Sequence, residues 1–247
     1  MRAESPVWRR VFRKIIESAD YLLATSDEIR EVALDIYRHP RSEVMTNAVD
    51  TDRFSPSDEA AIGGPRRVIV PRRLFPKNGV EYFIRAMPLI SDALDVHARV
   101  VGDGPERDKL TALAVQLGVH ERIEFMGSRS NLEMPALLRE AEVAVVPSLM
   151  EATSIAALEA MSCGLPVAAS AVGGLPEIVD ERVGALFEPA DPVALATALV
   201  ELLSRRDLRD LGREGRRRVV ERWSLKSMVE RHIEIYSGLL DEEQAQR

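Results

Sequence analysis

The stretch Val143-Ala-Val-Val-Pro-Ser-Leu-Met-Glu151-Ala-Thr-Ser-Ile-Ala-Ala-Leu-Glu159-Ala-Met-Ser-Cys-Gly-Leu-Pro-Val167-Ala-Ala-Ser170 decides the fold. Val143–Val146 is a short uninterrupted apolar run, the pattern of a strand buried on both faces. Ser154, or Thr153, stands where a helix N-cap is expected, and the ten residues that follow are apolar on nearly every face. That predicts a buried helix over about 154–163. A second short run, Val167–Ser170, then reads as another strand. Strand, helix, strand at this spacing is a right-handed βαβ unit in a parallel sheet covered on both sides.

The same alternation extends outward in both directions from about residue 66. Further strands are predicted at Arg67–Val70, His97–Val101, Arg122–Met126 and Ala185–Phe187, with helices near 80–90, 106–117, 131–140 and 192–204. The fold class is therefore α/β, a Rossmann-like doubly wound parallel sheet spanning 66–222. No internal repeat is evident. Residues 1–48 offer a basic amphipathic helix, a strand-like Tyr21-Leu-Leu-Ala-Thr and a helix from about Asp27. Two helices and one strand cannot form a sheet alone, so this stretch reads as the helical remnant of a preceding lobe whose remainder is absent. Pro56, Gly63, Gly64 and Pro65 mark a linker within 49–65. Helices are expected over 205–222 and 225–240, and residues 223–247 are set apart as a C-terminal helix. Its Met228, Ile233, Ile235 and Tyr236 are expected to be partly exposed.

The bulk composition excludes several classes. The 247 residues are 46% apolar and 30% charged, as in ordinary soluble domains. A formal charge of -7 leaves no dominant basic surface and argues against a nucleic-acid partner. Cys163 is the only cysteine, so no intrachain disulfide can form, and its apolar surroundings favour an inert buried thiol over a nucleophile. No apolar run approaches the roughly 18 residues that span a bilayer, and no apolar segment follows the first charges to make a signal peptide. The expected location is the cytoplasm. In the first helix Val7, Trp8, Val11, Phe12, Ile15 and Ile16 alternate in pairs with Arg9, Arg10, Arg13 and Lys14. This stripe either packs on another lobe or lies at the inner membrane face.

In an open parallel sheet, ligands sit outside the carboxyl ends of the strands, and the unusual residues gather there. Arg67–Val70 is followed by Pro71-Arg72-Arg73-Leu-Phe-Pro-Lys77-Asn78-Gly79, and His97–Val101 by Gly102-Asp103-Gly104-Pro105. Val143–Val146 is followed by the loop to Glu151, Thr153 and Ser154. Val167–Ser170 is followed by Ala-Val-Gly173-Gly174-Leu-Pro-Glu177. These ends offer close backbone approach, a helix N-terminus and cations, all suited to phosphate. Each element alone is weak. Gly102-Asp-Gly-Pro lacks the third glycine of a dinucleotide fingerprint, since that position is Arg107, and reads equally as a tight turn. Arg72, Arg73 and Lys77 could equally form a solvated loop. Glu159 is more telling. A bare carboxylate in an apolar helix costs several kcal/mol unless hydrogen-bonded, so it requires donors, either ligand hydroxyls such as those of a ribose or an arginine.

The run from Pro147 to Val167, with two glutamates separated by seven residues and then Gly-Leu-Pro-Val, resembles the signature of retaining glycosyltransferases of family 4, which have the GT-B fold. Gly173-Gly-Leu-Pro-Glu-Ile-Val, Asn47-Ala-Val-Asp, Arg73 through Gly79, Val101-Gly-Asp-Gly-Pro and Phe125-Met-Gly match in order, so the likeness covers about residues 20–240. The resemblance implies a C-terminal lobe that binds a nucleotide-diphosphate sugar, UDP- or GDP-linked, and transfers the hexose with retention and without a metal or other cofactor. Under it Arg73 and Lys77 hold the diphosphate and Glu151 meets the sugar, as the catalytic set. Glu159 holds the ribose. Gly102, Gly104, Ser128, Arg129, Thr153, Ser154 and Ile155 line the donor. The partners implied are a nucleotide sugar and an acceptor glycan, lipid or small molecule, with a second copy, a separate N-terminal lobe or a membrane surface in addition. The chain departs from the pattern at Ala152-Thr153-Ser154, where Gly-Phe-Gly is usual, at Ala48, where a glycine is usual, and at Asn78, which separates Lys77 from Gly79. A single chain of this length implies an incomplete enzyme. The alternatives are a non-catalytic nucleotide-sugar binding module and one subunit of a split two-chain transferase. A nicotinamide-dependent dehydrogenase is disfavoured, because its fingerprint is missing.

Overall fold

The computed structural model describes residues 5–57 and 64–245. The chain divides into two compact units, Val49–Ser224 in one and Met1–Ala48 with Leu225–Arg247 in the other. The elements run α1 (Pro6–Glu17), β1 (Leu22–Ala24), α2 (Asp27–Ile36), β2 (Ser42–Val44), β3 (Arg66–Val70), α3 (Val80–Ala93), β4 (Val96–Val101), α4 (Arg107–Gln116) and β5 (Ile123–Gly127). They continue through α5 (Met134–Arg139), β6 (Val143–Val146), α6 (Ile155–Ser162), β7 (Val167–Ser170), α7 (Leu175–Ile178), β8 (Gly184–Phe187), α8 (Pro192–Ser204), α9 (Leu208–Arg222) and α10 (Leu225–Ala245).

In the larger unit six parallel strands are ordered β5-β4-β3-β6-β7-β8. The chain works outward from β3 to β5, returns to lay β6 beside β3, and works outward again on the other side. Strand order therefore reverses between β3 and β6, and the helices that follow them, α3 and α6, pack on opposite faces of the sheet. Alternation along each strand builds two cores. Val68, Val70, Val143 and Val145 point to one, where Phe83, Ile84, Met87 and Ile90 of α3 and Leu195 and Leu199 of α8 are fully buried. Ile69, Ala144 and Val146 point to the other, against Leu158 and Met161 of α6, Leu175 of α7 and Val219 of α9. The apolar helix α6 is buried as its composition requires. Cys163 lies in the same layer, and burial pushes its thiol up to about 12.

The predicted linker needs correction over 49–57. This segment packs onto the larger unit. The Val49 amide donates to the Trp223 carbonyl (2.9 Å), Phe54 is buried, and its carbonyl accepts from Ser162 Oγ (2.5 Å) and Arg216 Nη1 (2.7 Å). Arg139 Nε donates to the Ser55 carbonyl at 2.6 Å. Pro56 marks an irregular backbone here, but Phe54 anchors it. Of the remainder of the predicted linker, residues 58–63 fall outside the described residues.

The smaller unit also differs from expectation. It holds a second strand, β2, parallel to β1 with Leu22 opposite Ser42 and Ala24 opposite Val44. Three residues centred on a glutamate carry too little periodicity to betray a strand. Arg231 of α10 makes a forked ion pair with Glu43 of β2, its Nη2 2.6 Å from Oε2. Ile233 and Tyr236 of α10 are exposed as expected, whereas Ile235 is buried, because adjacent positions on a helix face different ways. Val7, Trp8, Val11, Phe12 and Ile15 of α1 are exposed and Ile16 is buried. Among the described residues no helix is long and apolar enough to cross a membrane.

Candidate functional site

Four loops leave the carboxyl ends of β3, β4, β6 and β7, and they are stacked backbone to backbone. Gly79 (φ 66°) closes the 3-10 turn Pro76–Asn78, and a Cβ there would lie 1.8 Å from the Pro147 carbonyl oxygen. Gly173 (φ 52°) presses on the Glu151 carbonyl in the same way, at 1.6 Å. Both positions demand glycine twice over, for the left-handed backbone and for the space. Hydrogen bonds tie the stack: Leu149 N–H to the Lys77 carbonyl (2.8 Å), Gly174 N–H to the Ala152 carbonyl (3.0 Å) and Leu74 N–H to the Asp103 carbonyl (3.0 Å).

Gly102 and Gly104, predicted to line a donor, already have an internal reason to be glycine. A Cβ at these positions would lie 2.2 Å from the Arg72 carbonyl oxygen and 2.4 Å from that of Leu74. They seat the β4 loop on the β3 loop.

At the strand-order reversal, Arg72 from the end of β3 meets Glu151 from the loop after β6. Arg72 Nη2 lies 2.5 Å from Glu151 Oε2, with the two side chains 11% and 16% exposed. Ser148, fully buried, donates its Oγ–H to the same carboxylate oxygen at 3.2 Å. Asn78, also buried, orients the arginine. Its Oδ1 accepts from Arg72 Nη2 (2.9 Å) while its Nδ2 donates to the Arg73 carbonyl (2.7 Å). The guanidinium Nε is buried with no partner. Glu151 thus lies at the carboxyl end of β6, beside the loop that follows β3. Nothing local in the sequence distinguishes Arg72 or Asn78 from the neighbouring loop residues. The only signal was their adjacency to Arg73 and Lys77.

Arg73 and Lys77 are both exposed, at the rim of this loop, with the Arg73 guanidinium 5.8 Å from the centre of the Phe75 ring. Ser154 is fully buried and caps α6, accepting from the Ala157 amide at 3.3 Å. Its hydroxyl is thereby committed to its own helix. Thr153 is buried, whereas Ala152 and Ile155 are exposed at the mouth. Ser128 and Arg129 lie exposed after β5, and Arg129 Nη1 is 3.7 Å from Glu133 Oε1.

Glu159 sits in α6, half-buried. Desolvation pushes its pKa up to about 7, and no arginine pairs with it among the described residues. The arginine alternative is therefore not realised, and the half-buried carboxylate is left to solvent or a ligand. Among the described residues no group of three or more His, Cys, Asp or Glu is placed to hold a metal ion.

A parallel sheet in this order, with these loops at the reversal point, is a Rossmann-like sheet. Residues 65–205 match the family model "Glycosyl transferases group 1", and the chain belongs to that family. It is 33% identical over 232 residues to the MMP alpha-(1->4)-mannosyltransferase of Mycolicibacterium hassiacum, covering 92% of this chain and 55% of that protein. It is 30% identical over 259 residues to the GDP-mannose-dependent alpha-(1-6)-phosphatidylinositol monomannoside mannosyltransferase of Mycolicibacterium smegmatis, covering 97% of this chain and 68% of that one. Sucrose-phosphate synthase from Thermosynechococcus elongatus superimposes with a TM-score of 0.83 at 27% identity, over 98% of this chain and 64% of that structure. The sheet is that of a GT-B C-terminal lobe. The chain spans between half and about two thirds of the length of these relatives.

Proposed function

We propose that the larger unit binds a nucleotide-diphosphate sugar at the carboxyl ends of β3, β4, β6 and β7, as the donor lobe of a family 4 glycosyltransferase that transfers a hexose with retention. The observation that carries this reading is Glu159, a half-buried carboxylate with no arginine beside it in the apolar helix α6 of a chain belonging to the group 1 transferases. Two vicinal hydroxyls of a ribose would supply donors to it. Arg73 and Lys77, at the rim, would meet the diphosphate, and Glu151 the sugar. The Ile155 amide, at the start of α6, adds a partial positive charge. Ser128 and Arg129 would approach the base. The donor is UDP- or GDP-linked; relatives named as mannosyltransferases, one of them GDP-mannose-dependent, support a nucleotide-linked hexose.

A thermal-shift screen over UDP, GDP, ADP and their sugars tests the donor site. A ligand at about 100 times its dissociation constant adds about 2.7 kcal/mol to native stability. No shift with any of them defeats the reading. Retention is checked by NMR of the product, whose anomeric configuration should equal that of the donor. The proposal includes metal independence, so EDTA should leave both binding and transfer unchanged.

A further inference from the structure

We propose that Arg72 is the inner phosphate cation of this site, held in the ligand-free chain by Glu151 and Asn78 and handed over to the diphosphate when a donor binds. The proposal rests on the donor-site reading above and assigns a residue that the sequence resemblance passes over.

The geometry carries it in three parts. The backbone bearing Arg72 is clamped, because its carbonyl is approached by Gly102, and the Gly79 that closes the same loop is pressed against Pro147. Exchange of partners therefore falls to the side chain. Secondly, Glu151 and Asn78 both draw on Nη2, while Nε is buried without a partner. A guanidinium presents donors in a planar fork that fits two phosphate oxygens at once, and this one keeps part of its fork unspent. Thirdly, the neighbouring cations Arg73 and Lys77 are exposed at the rim, and the position beside Gly79 is filled by the neutral Asn78. Asn78 is locked by its own bond to the Arg73 carbonyl, so its amide oxygen points at Arg72 rather than at solvent.

In this arrangement Glu151 and a diphosphate compete for one cation. Binding moves no proton and breaks no covalent bond; it replaces a carboxylate by phosphate oxygens on the guanidinium. It also frees Glu151 Oε2 towards the sugar, retaining its bond from Ser148.

Titration calorimetry of the full chain with UDP, GDP and ADP, and with uridine, guanosine and adenosine, tests this. Arg72→Ala should weaken the preferred diphosphate by about 30-fold or more and its nucleoside by less than about threefold. Glu151→Gln removes the competitor and should tighten diphosphate binding by about three- to tenfold. Arg72→Ala/Asn78→Lys should recover part of the lost affinity, since residue 78 reaches within hydrogen-bonding distance of the vacated guanidinium. Equal loss for diphosphate and nucleoside, or unchanged affinity in folded Arg72→Ala, overturns the proposal and leaves a structural ion pair. If Arg72→Ala does not fold, Glu151→Gln decides: affinity unchanged or weakened overturns the proposal. Failure of the wild-type chain to bind any diphosphate removes the donor-site reading itself, an outcome distinct from wild-type binding that Arg72→Ala leaves intact.

Discussion

The two ends of the six-stranded sheet carry the same residue types in opposite circumstances. Towards the amino end Arg66 pairs with Glu142, Arg99 with Glu124 and Glu140, and Arg122 with Asp95; Arg99, Arg122, Glu124 and Glu140 line a cleft of about 290 Å3. These charges reach water; the Arg122 and Asp95 side chains are 36% and 66% exposed. At the carboxyl end Arg72 and Glu151 are largely withdrawn from solvent and gripped by Asn78 and Ser148, and Glu159 is half-buried with no arginine beside it. Water screens the first group, so each pair contributes at most about 1 kcal/mol. In the second, Arg72 and Glu151 depend on specific neighbours. Residue type does not distinguish a rim from a site; solvation does.

The largest effect should come from the stacking that creates the second environment. Gly173→Ala places a methyl within bonding distance of the Glu151 carbonyl on a left-handed backbone. It should cost at least about 2–4 kcal/mol in urea unfolding, or prevent folding. Gly118→Ala is the control, with a similar φ of 70° but no atom within 4 Å of its Cβ, and should cost only about 1–2 kcal/mol. Equal losses would mean that the loops are not packed as described.

Next is Glu159. Its folded pKa of about 7 lies above the ordinary value of 4.5, so the fold favours the protonated form. Stability is then highest below pH 4.5 and declines as pH rises to about 7, where the unfolded chain is the better acid. At about 1.4 kcal/mol per pH unit the decline amounts to no more than about 3.5 kcal/mol. Glu159→Gln should remove this component and raise stability at pH 8, while weakening nucleotide affinity by about 1–3 kcal/mol. A variant less stable at pH 8 would mean that the carboxylate is satisfied by the protein after all.

Smaller still is the expected cost of breaking the amino-end pairs. Arg99→Ala should change stability by less than about 1 kcal/mol, and that change should shrink with added salt. Larger, salt-insensitive losses would erase the contrast between the two ends. The smallest effect is expected at Cys163, whose buried thiol, pushed up to about 12, should resist a chromogenic disulfide reagent at pH 8 until denaturant is added.

The sequence by itself determined the six strands of the larger unit, the buried helix α6 and the identity of the loops that carry the unusual residues. These are local matters: short apolar runs, their spacing and the residues that end them lie within a few positions of one another. It also marked Glu159 as a charge in need of donors, because burial of an all-apolar helix follows from composition alone. The tertiary structure decided what depends on distant partners. β2 exists because β1 offers it an edge, and residues 49–57 are ordered because Phe54 and its carbonyl find α6, α9 and Ser162. The glycines of the β4 and β7 loops are required by carbonyls some thirty and twenty residues earlier in the chain. Among three neighbouring cations, only strand pairing between β3 and β6 could single out Arg72, since it brings Glu151 across from a loop that lies seventy-nine residues away in sequence. Local pattern fixes which residues are available, and non-local packing fixes which of them lose their water.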